Sequence, residues 1–382
     1  IGGNTALSAL TVNSAGAGTV EITNIGGVTG ATAIGNTSTG TLTLDGTAYS
    51  TAGTQTYTAA TGGGNIDITN TSGVTFTTTN DNIIFATSDV DLANNATTTI
   101  TTGTGAGVVT FGAAIEGNSA TAPFNDLLVI TSGTGNVQFA GSIGATNALG
   151  GLTVNSSAGD GDITFTSTIG DAGNAGVVGT TAIGNAATAD LNFNSTIYSF
   201  DGATTITAAA GDTIDVGTGA ATSFITAADN ISFATGNIEL TNGSNLVIDT
   251  GAGGGNITVG GGIDGDSVET VTIDAGTGTT SVGVIGNSTE IGALTIGSAE
   301  NGGITLNGAI ITDGVVTIDG PVTLATGAVS VTTADDAITF NHSIDGGQTL
   351  TLASGSAATT LQGAIGGNTA LSALTVNSAG AG

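Results

Sequence analysis

Residues 294–318 read LTIGSAENGGITLNGAIITDGVVTI, and three tripeptides within them decide the architecture. Leu294-Thr295-Ile296, Ile304-Thr305-Leu306 and Val316-Thr317-Ile318 each set aliphatic side chains at i and i+2 with threonine between them. That is the period of a strand with one buried face. The intervening residues are rich in Gly, Asn, Ser and Asp, which turn a chain rather than extend it. Leu246, Val271, Leu294 and Val316 open successive first strands, spaced 25, 23 and 22 along the chain. Similar first strands start at Leu10 and Leu152. Second strands follow about ten residues later, at Val20-Glu21-Ile22, Val137-Gln138-Phe139, Ile163-Thr164-Phe165, Ile257-Thr258-Val259 and Ile338-Thr339-Phe340. An isolated isoleucine often comes next, as at Ile25, Ile143, Ile169, Ile263 and Ile285. No segment keeps apolar residues at i, i+3, i+4 and i+7 for several turns, and glycine interrupts nearly every candidate helix.

Three short strands in each step of roughly 22 to roughly 25 residues describe one coil of a parallel β-solenoid, an all-β fold. Stacked coils bring equivalent residues to about 4.8 Å, so like residues form ladders. Val, Ile and Leu ladders are expected inside, with Phe76, Phe85, Phe111, Phe139, Phe165, Phe193 and Phe340 as larger fillers. Threonine suits the outer faces because it keeps β propensity without apolar exposure. Glycine supplies positive φ at corners, and asparagine tolerates the same conformation. Proline is confined to Pro123 and Pro321, as expected where each coil needs its neighbour's N–H groups.

A longer repeat frames these coils. Residues 1–18 and 365–382 are the same eighteen letters, IGGNTALSALTVNSAGAG, a period of 364. The expected organisation is one full period over 1–364 and the start of an identical one at 365–382. Ile1 is then not a biological N-terminus, and secretion signals lie outside these residues. At about 23 residues per coil one period holds roughly 16 coils and rises roughly 75 to roughly 80 Å.

The cassettes at Ile1-Gly2-Gly3-Asn4-Thr5-Ala6-Leu7-Ser8-Ala9-Leu10-Thr11-Val12 and Ile143-Gly144-Ala145-Thr146-Asn147-Ala148-Leu149-Gly150-Gly151-Leu152-Thr153-Val154, with Thr54-Gln55-Thr56-Tyr57-Thr58, resemble the β-strand repeats of large bacterial exoproteins similar to filamentous haemagglutinin. The resemblance implies a right-handed parallel β-helix exported to the cell surface as an adhesin or fibre. Nothing in these residues resembles that family's amino-terminal secretion domain, and none matches a recognised receptor-binding motif. The absence of Lys and Arg is more extreme than the resemblance leads one to expect.

Composition narrows the chemistry. The chain has 382 residues, with 67 Gly, 29 Asp plus Glu, one His and no Lys, Arg, Cys, Met or Trp. Without cations there is no phosphate clamp, nucleic-acid surface or Schiff-base lysine. Without cysteine there is no disulfide, thiolate metal site or iron–sulfur cluster. A net charge of −29 repels nucleic acid and anionic membranes, leaving polycations, Ca²⁺ or Mg²⁺, and neutral glycans or other surfaces as partners. No apolar run is long enough to span a bilayer. Only 8% of residues are charged against 39% hydrophobic, so the chain can bury a core and is not an acidic disordered tail.

Parallel β-helices also host polysaccharide lyases and hydrolases. A lyase of that kind needs a basic residue, which is missing, so only carboxylate pairs come into question. The close pairs are Asp160 with Asp162, Asp264 with Asp266, Asp89 with Asp91, and Asp335 with Asp336. The two Asp-Gly-Asp segments are read as corners, and Asp160, Asp162, Asp264 and Asp266 are the weak candidates for cation binding. Gly253-Gly254-Gly255-Asn256 and Gly260-Gly261-Gly262-Ile263-Asp264 only graze a calcium β-roll repeat, so no resident cofactor is expected beyond weak Ca²⁺ bridging between acidic filaments. His342 has no partner that spacing identifies. Asn-x-Ser/Thr triplets at Asn70, Asn95, Asn194, Asn230 and Asn287 follow from composition. Gly62-Gly63-Gly64 is not a phosphate loop. Thr-x-Thr segments such as Thr41-Leu42-Thr43 and Thr97-Thr98-Thr99 do not recur at a constant coil offset, which speaks against an ice-binding face. The expectation is a non-enzymatic structural unit of an extracellular filament, sheath or surface fibre of a bacterium or archaeon, self-associating end to end and laterally. The alternative is a cell-surface adhesin whose shaft presents a glycan or surface ligand. Neither involves nucleic acid or a membrane span.

Overall fold

A computed structural model describes residues 1–118, 124–155, 159–241, 243–266, 268–298 and 302–378; Pro123 lies outside them. Among the described residues every regular element is a β-strand and none is a helix. Among the described residues no helix is long and apolar enough to cross a membrane. Two compact units form, Ile1–Gly202 with Thr207–Ala209, and Ala203–Ile206 with Ala210–Gly382. Each is a parallel β-solenoid, and the coils counted over both number about 15.

In the first unit each full coil contributes one strand to each of three ladders. The first ladder stacks Leu10–Val12, Thr32–Gly35, Gln55–Thr58, Ile83–Phe85, Val109–Phe111, Val137–Phe139, Ile163–Phe165 and Leu191–Phe193. The second runs from Val20–Ile22 through Leu42–Leu44, Ile66–Ile68 and Val90–Asp91 to Ile115–Glu116. It continues as single bridges from Ile115 to Ile143, Ile169 and Tyr198. Ile143 and Ile169 are therefore this ladder's strand worn down to one residue, whereas Ile25 opens the four-residue strand Ile25–Val28. The third stacks Ile25–Val28, Ala48–Thr51, Val74–Thr77, Thr97–Thr101, Leu127–Thr131, Gly151–Val154 and Thr181–Ile183.

Coil length is not constant. Gln55 pairs with Ile83, Ile83 with Val109, and Val109 with Val137, steps of 28, 26 and 28 along the chain. These coils exceed the expected 22 to 25 because their corners carry extra residues, and they bring the count to about 15 where the sequence arithmetic gives about 16.

The core follows the alternation. Ile163-Thr164-Phe165 and Leu191-Asn192-Phe193 bury their outer residues and leave the middle one half-exposed. Tyr57, Phe85, Phe111, Phe139, Phe165 and Phe193 pair in register and stack as one aromatic ladder, with ring centroids 4.8 to 5.5 Å apart. Coil spacing alone enforces that separation, which is also favourable for offset stacking. Polar groups trapped inside are satisfied around Gln55. Its Nε2 donates to the carbonyls of Tyr49 at 2.9 Å and Thr77 at 2.8 Å, and its Oε1 accepts from the Tyr57 hydroxyl at 2.9 Å.

The second unit holds the run that decided the fold. Leu246 pairs with Val271, Val271 with Leu294, and Leu294 with Val316, all parallel. On the outward side of the same strands Thr272, Thr295, Thr317, Thr339 and Thr360 stand in consecutive register. Threonine thus recurs at coil offset here, while the Thr-x-Thr segments themselves do not, Thr43 pairing with Asp67, and Thr97 and Thr99 with Leu127 and Val129. It does so as a single rank, flanked by Asp274, Gly297 and Asp319 on the next outward position.

Candidate functional site

The acids form ladders of their own. Asp67 stands opposite Asp91, and Asp91 opposite Glu116. In the second unit Asp215 faces Glu239, which faces Asp264, and Asp249 faces Asp274. Like charges one coil apart repel. Burial first, and then the Asp91 carboxylate, pushes the Asp67 carboxyl above its ordinary value of 3.8. Glu239 is raised in the same way, by burial and then by Asp264, Asp215 and Asp266. An amide dilutes one rung, since Asn65 Nδ2 donates to Asp91 Oδ2 at 2.7 Å.

Of the four cation candidates, Asp160 and Asp162 lie in the first unit and Asp264 and Asp266 in the second. Asp160 is exposed, and Asp162 is half-buried and accepts from Asn136 Nδ2 at 3.2 Å. Asp264 is not in a corner: it ends the strand Ile263–Asp264 and is buried. Asp266 is exposed, and its N–H donates to Glu269 Oε2 at 2.6 Å. Among the described residues no group of three or more His, Cys, Asp or Glu side chains is arranged to hold a metal ion.

Three acids instead lock the neighbouring coil. Glu116 Oε2 accepts from the backbone N–H of Thr146 at 3.0 Å and of Asn147 at 2.7 Å. Asp264 Oδ1 accepts from Ser288 and Thr289 at 2.8 and 3.4 Å, and Asp345 Oδ1 from Asn368 and Thr369 at 2.7 and 3.0 Å. Each acid follows the isoleucine of a two-residue strand. Each capped corner begins Ile-Gly, at Ile143-Gly144, Ile285-Gly286 and Ile365-Gly366, with those glycines at φ +63°, +68° and +66°. The N–H pair hydrogen-bonds the ionised carboxylate, which lowers the Asp345 carboxyl below 3.8. At Glu116 burial outweighs the same two bonds and the net direction is upward. Sequence reading missed this device, although an Ile-Asp or Ile-Glu pair one coil ahead of an Ile-Gly corner is a visible signal.

Other features are modest. The three tyrosines are buried. A groove of about 480 Å³ in the first unit is lined by Thr101, Thr104, Thr131, Thr134, Asp160 and Asn185 among others, with no aromatic residue. His342 does have a partner, Asp319, whose Oδ1 lies 3.2 Å from Nε2. The pair links one coil to the next.

These acids set the pH response. Asp67, Glu116, Asp126 and Glu239 all titrate above their ordinary values of 3.8 or 4.5, with burial the largest cause. The folded state therefore binds protons more tightly than the unfolded chain at these sites. Their stabilising contribution is complete below the ordinary values and is lost as pH rises through the raised ones. The thermal midpoint is expected to climb on acidification from neutral pH toward those ordinary values. It should fall only at still lower pH, as the depressed carboxyls of Asp171 and Asp345 take up protons. Calorimetry across that range reads it, and Asp67→Asn should flatten the rise. A midpoint that falls steadily from neutral pH would contradict the assignment.

No family model, no curated protein and no solved structure matches this chain.

Proposed function

We propose that the chain is the repeat unit of a secreted β-solenoid fibre, filament or sheath at the surface of a bacterium or archaeon, acting structurally rather than as an enzyme. The observation that carries this reading is the in-register stacking of outward polar ladders, Thr272 through Thr360 among them, on a core of laddered aliphatic and aromatic residues. Such construction gives each coil the same two neighbours and makes stability a sum over like interfaces. The cation-free composition fits a shaft exposed to proteases, because enzymes that cut after Lys or Arg find no site. An adhesin is the second reading. A glycan-binding tip would be expected to present exposed aromatic rings, whereas among the described residues all three tyrosines and every phenylalanine except the half-exposed Phe124 are buried, and that ranks the fibre above the adhesin.

Immunogold labelling of intact source cells with antibody to the folded chain tests the proposal. Label along extracellular fibres is the expected result. Label found only after permeabilisation would overturn it.

A further inference from the structure

The eighteen-residue cassette occurs twice, and its two copies hydrogen-bond in opposite directions. At Ile1–Val12 every coil-to-coil bond runs toward the following coil. The Ile1 amine donates to the Asn24 carbonyl and the Ile1 carbonyl accepts from Gly26. Leu7 N–H donates to Gly27 and the Leu7 carbonyl accepts from Thr29, while Leu10 N–H donates to Ala31. At Ile365–Val376 the bonds run toward the preceding coil. Gly366 N–H donates to Ile344, Ser372 N–H to Gln348, and the Thr369 carbonyl accepts from Gly346. Asn368 and Thr369 N–H donate to Asp345 Oδ1. Among the groups named, no cassette position is used in both sets.

One internal coil makes both sets at once. The look-alike cassette Ile143–Val154 sends Ile143 N–H to Thr168, Leu149 N–H to Gly176 and Leu152 N–H to Thr180 on the following coil. Toward the preceding coil it sends Gly144 N–H to Ile115, Gly150 N–H to Asp126, and Thr146 and Asn147 N–H to Glu116. The terminal cassettes are the two halves of this pattern.

We propose that the two cassettes represent one junction coil, and that the open side of Ile365–Val376 receives a second copy of this chain's sequence from Thr19 onward. In that junction Val20–Ile22 of the second copy stacks on Thr359–Leu361, and Thr32–Gly35 of the second copy stacks on the strand that begins at Ala373. Asp345 then caps the shared corner in the role Glu116 has inside the chain. Two separate chains stacked cassette on cassette would put Gly366 ahead of the second cassette's corner, which would then go without the carboxylate that caps the corners at Ile143, Ile285 and Ile365, whereas sharing the coil keeps that cap. The inference extends the fibre reading to the contact between copies, and its test does not depend on where the fibre is found.

The test compares amide exchange in the chain itself with exchange in a chain carrying residues 19–382 a second time after Gly382. In the single chain, Leu371 and Leu374 should exchange as an open edge. In the doubled chain, the first copy's Leu371 and Leu374 should slow by roughly 100-fold or more, approaching Leu149 and Leu152, which report folding in the same sample. Unchanged exchange at Leu371 and Leu374 beside protected Leu149 and Leu152 would overturn the proposal. So would protection that appears in the single chain merely on raising its concentration, since that would show cassette-on-cassette stacking.

Discussion

Phe139→Ala is expected to destabilise the first unit by about 4 kcal/mol, near the upper range for a buried aromatic truncation. Phe139 is fully enclosed, and its ring stacks on Phe111 at 5.5 Å and on Phe165 at 4.8 Å with 6° between planes in both cases. Removing it takes away both contacts and leaves a void that coil spacing prevents from closing, because the backbone ladders to Val109–Phe111 and Ile163–Phe165 hold the coils apart. In a structure where each coil touches mainly its neighbours, such a gap also weakens cooperativity. Amides in Val109–Phe111 and Ile163–Phe165 should therefore lose protection more than those in the second unit. Hydrogen exchange with and without denaturant measures both effects. A loss below about 1 kcal/mol would mean that the ring stack adds little beyond what the aliphatic ladders provide.

That ladder was partly legible. Phe85, Phe111, Phe139, Phe165 and Phe193 recur in alternating steps of 26 and 28, a signal visible once coil length is allowed to drift. Reading 22 to 25 from the best-preserved run fixed the fold class and the register of Leu246, Val271, Leu294 and Val316. It could not set the longer corners elsewhere, because corner residues are outside the alternation that betrays a strand. Similar text also proved a poor guide to position. Leu10–Val12 stacks in one ladder and Leu152–Val154 in another, although their cassettes look alike. What the cassettes share is a corner and its hydrogen bonds, and a corner can be set at more than one turn of a coil.

The acids show where sequence reading falls short. Asp160, Asp162, Asp264 and Asp266 drew attention because they are neighbours along the chain, yet solenoid neighbours lie one coil away. Asp67, Asp91 and Glu116 are each separated by a full coil of sequence, and they stand side by side. Burial cannot be read from such spacing. Asp126 and Glu269 are enclosed while Asp160 and Asp266 are exposed, a difference made by the corners around them.

Corner glycines serve two different needs, and substitution should separate them. Gly327 is exposed at φ +67° with open space where a side chain would go. Gly327→Ala therefore meets only the backbone preference against left-handed φ, about 1 kcal/mol. Gly46 is buried without a positive φ, and a methyl group there would fall on the Thr23 carbonyl of the preceding coil. Its N–H also donates to the Tyr49 hydroxyl at 2.9 Å, which donates in turn to the Ile22 carbonyl at 2.6 Å. Relieving the clash means pushing two hydrogen-bonded coils apart and breaking that bridge. Gly46→Ala is expected to cost about 3 kcal/mol or more, several times the cost at Gly327. Equal losses for the two variants, measured by denaturant unfolding, would show that turn conformation alone governs these corners. The larger loss at Gly46 would establish close approach between coils as a separate constraint, one that explains why glycine is used even where φ is ordinary.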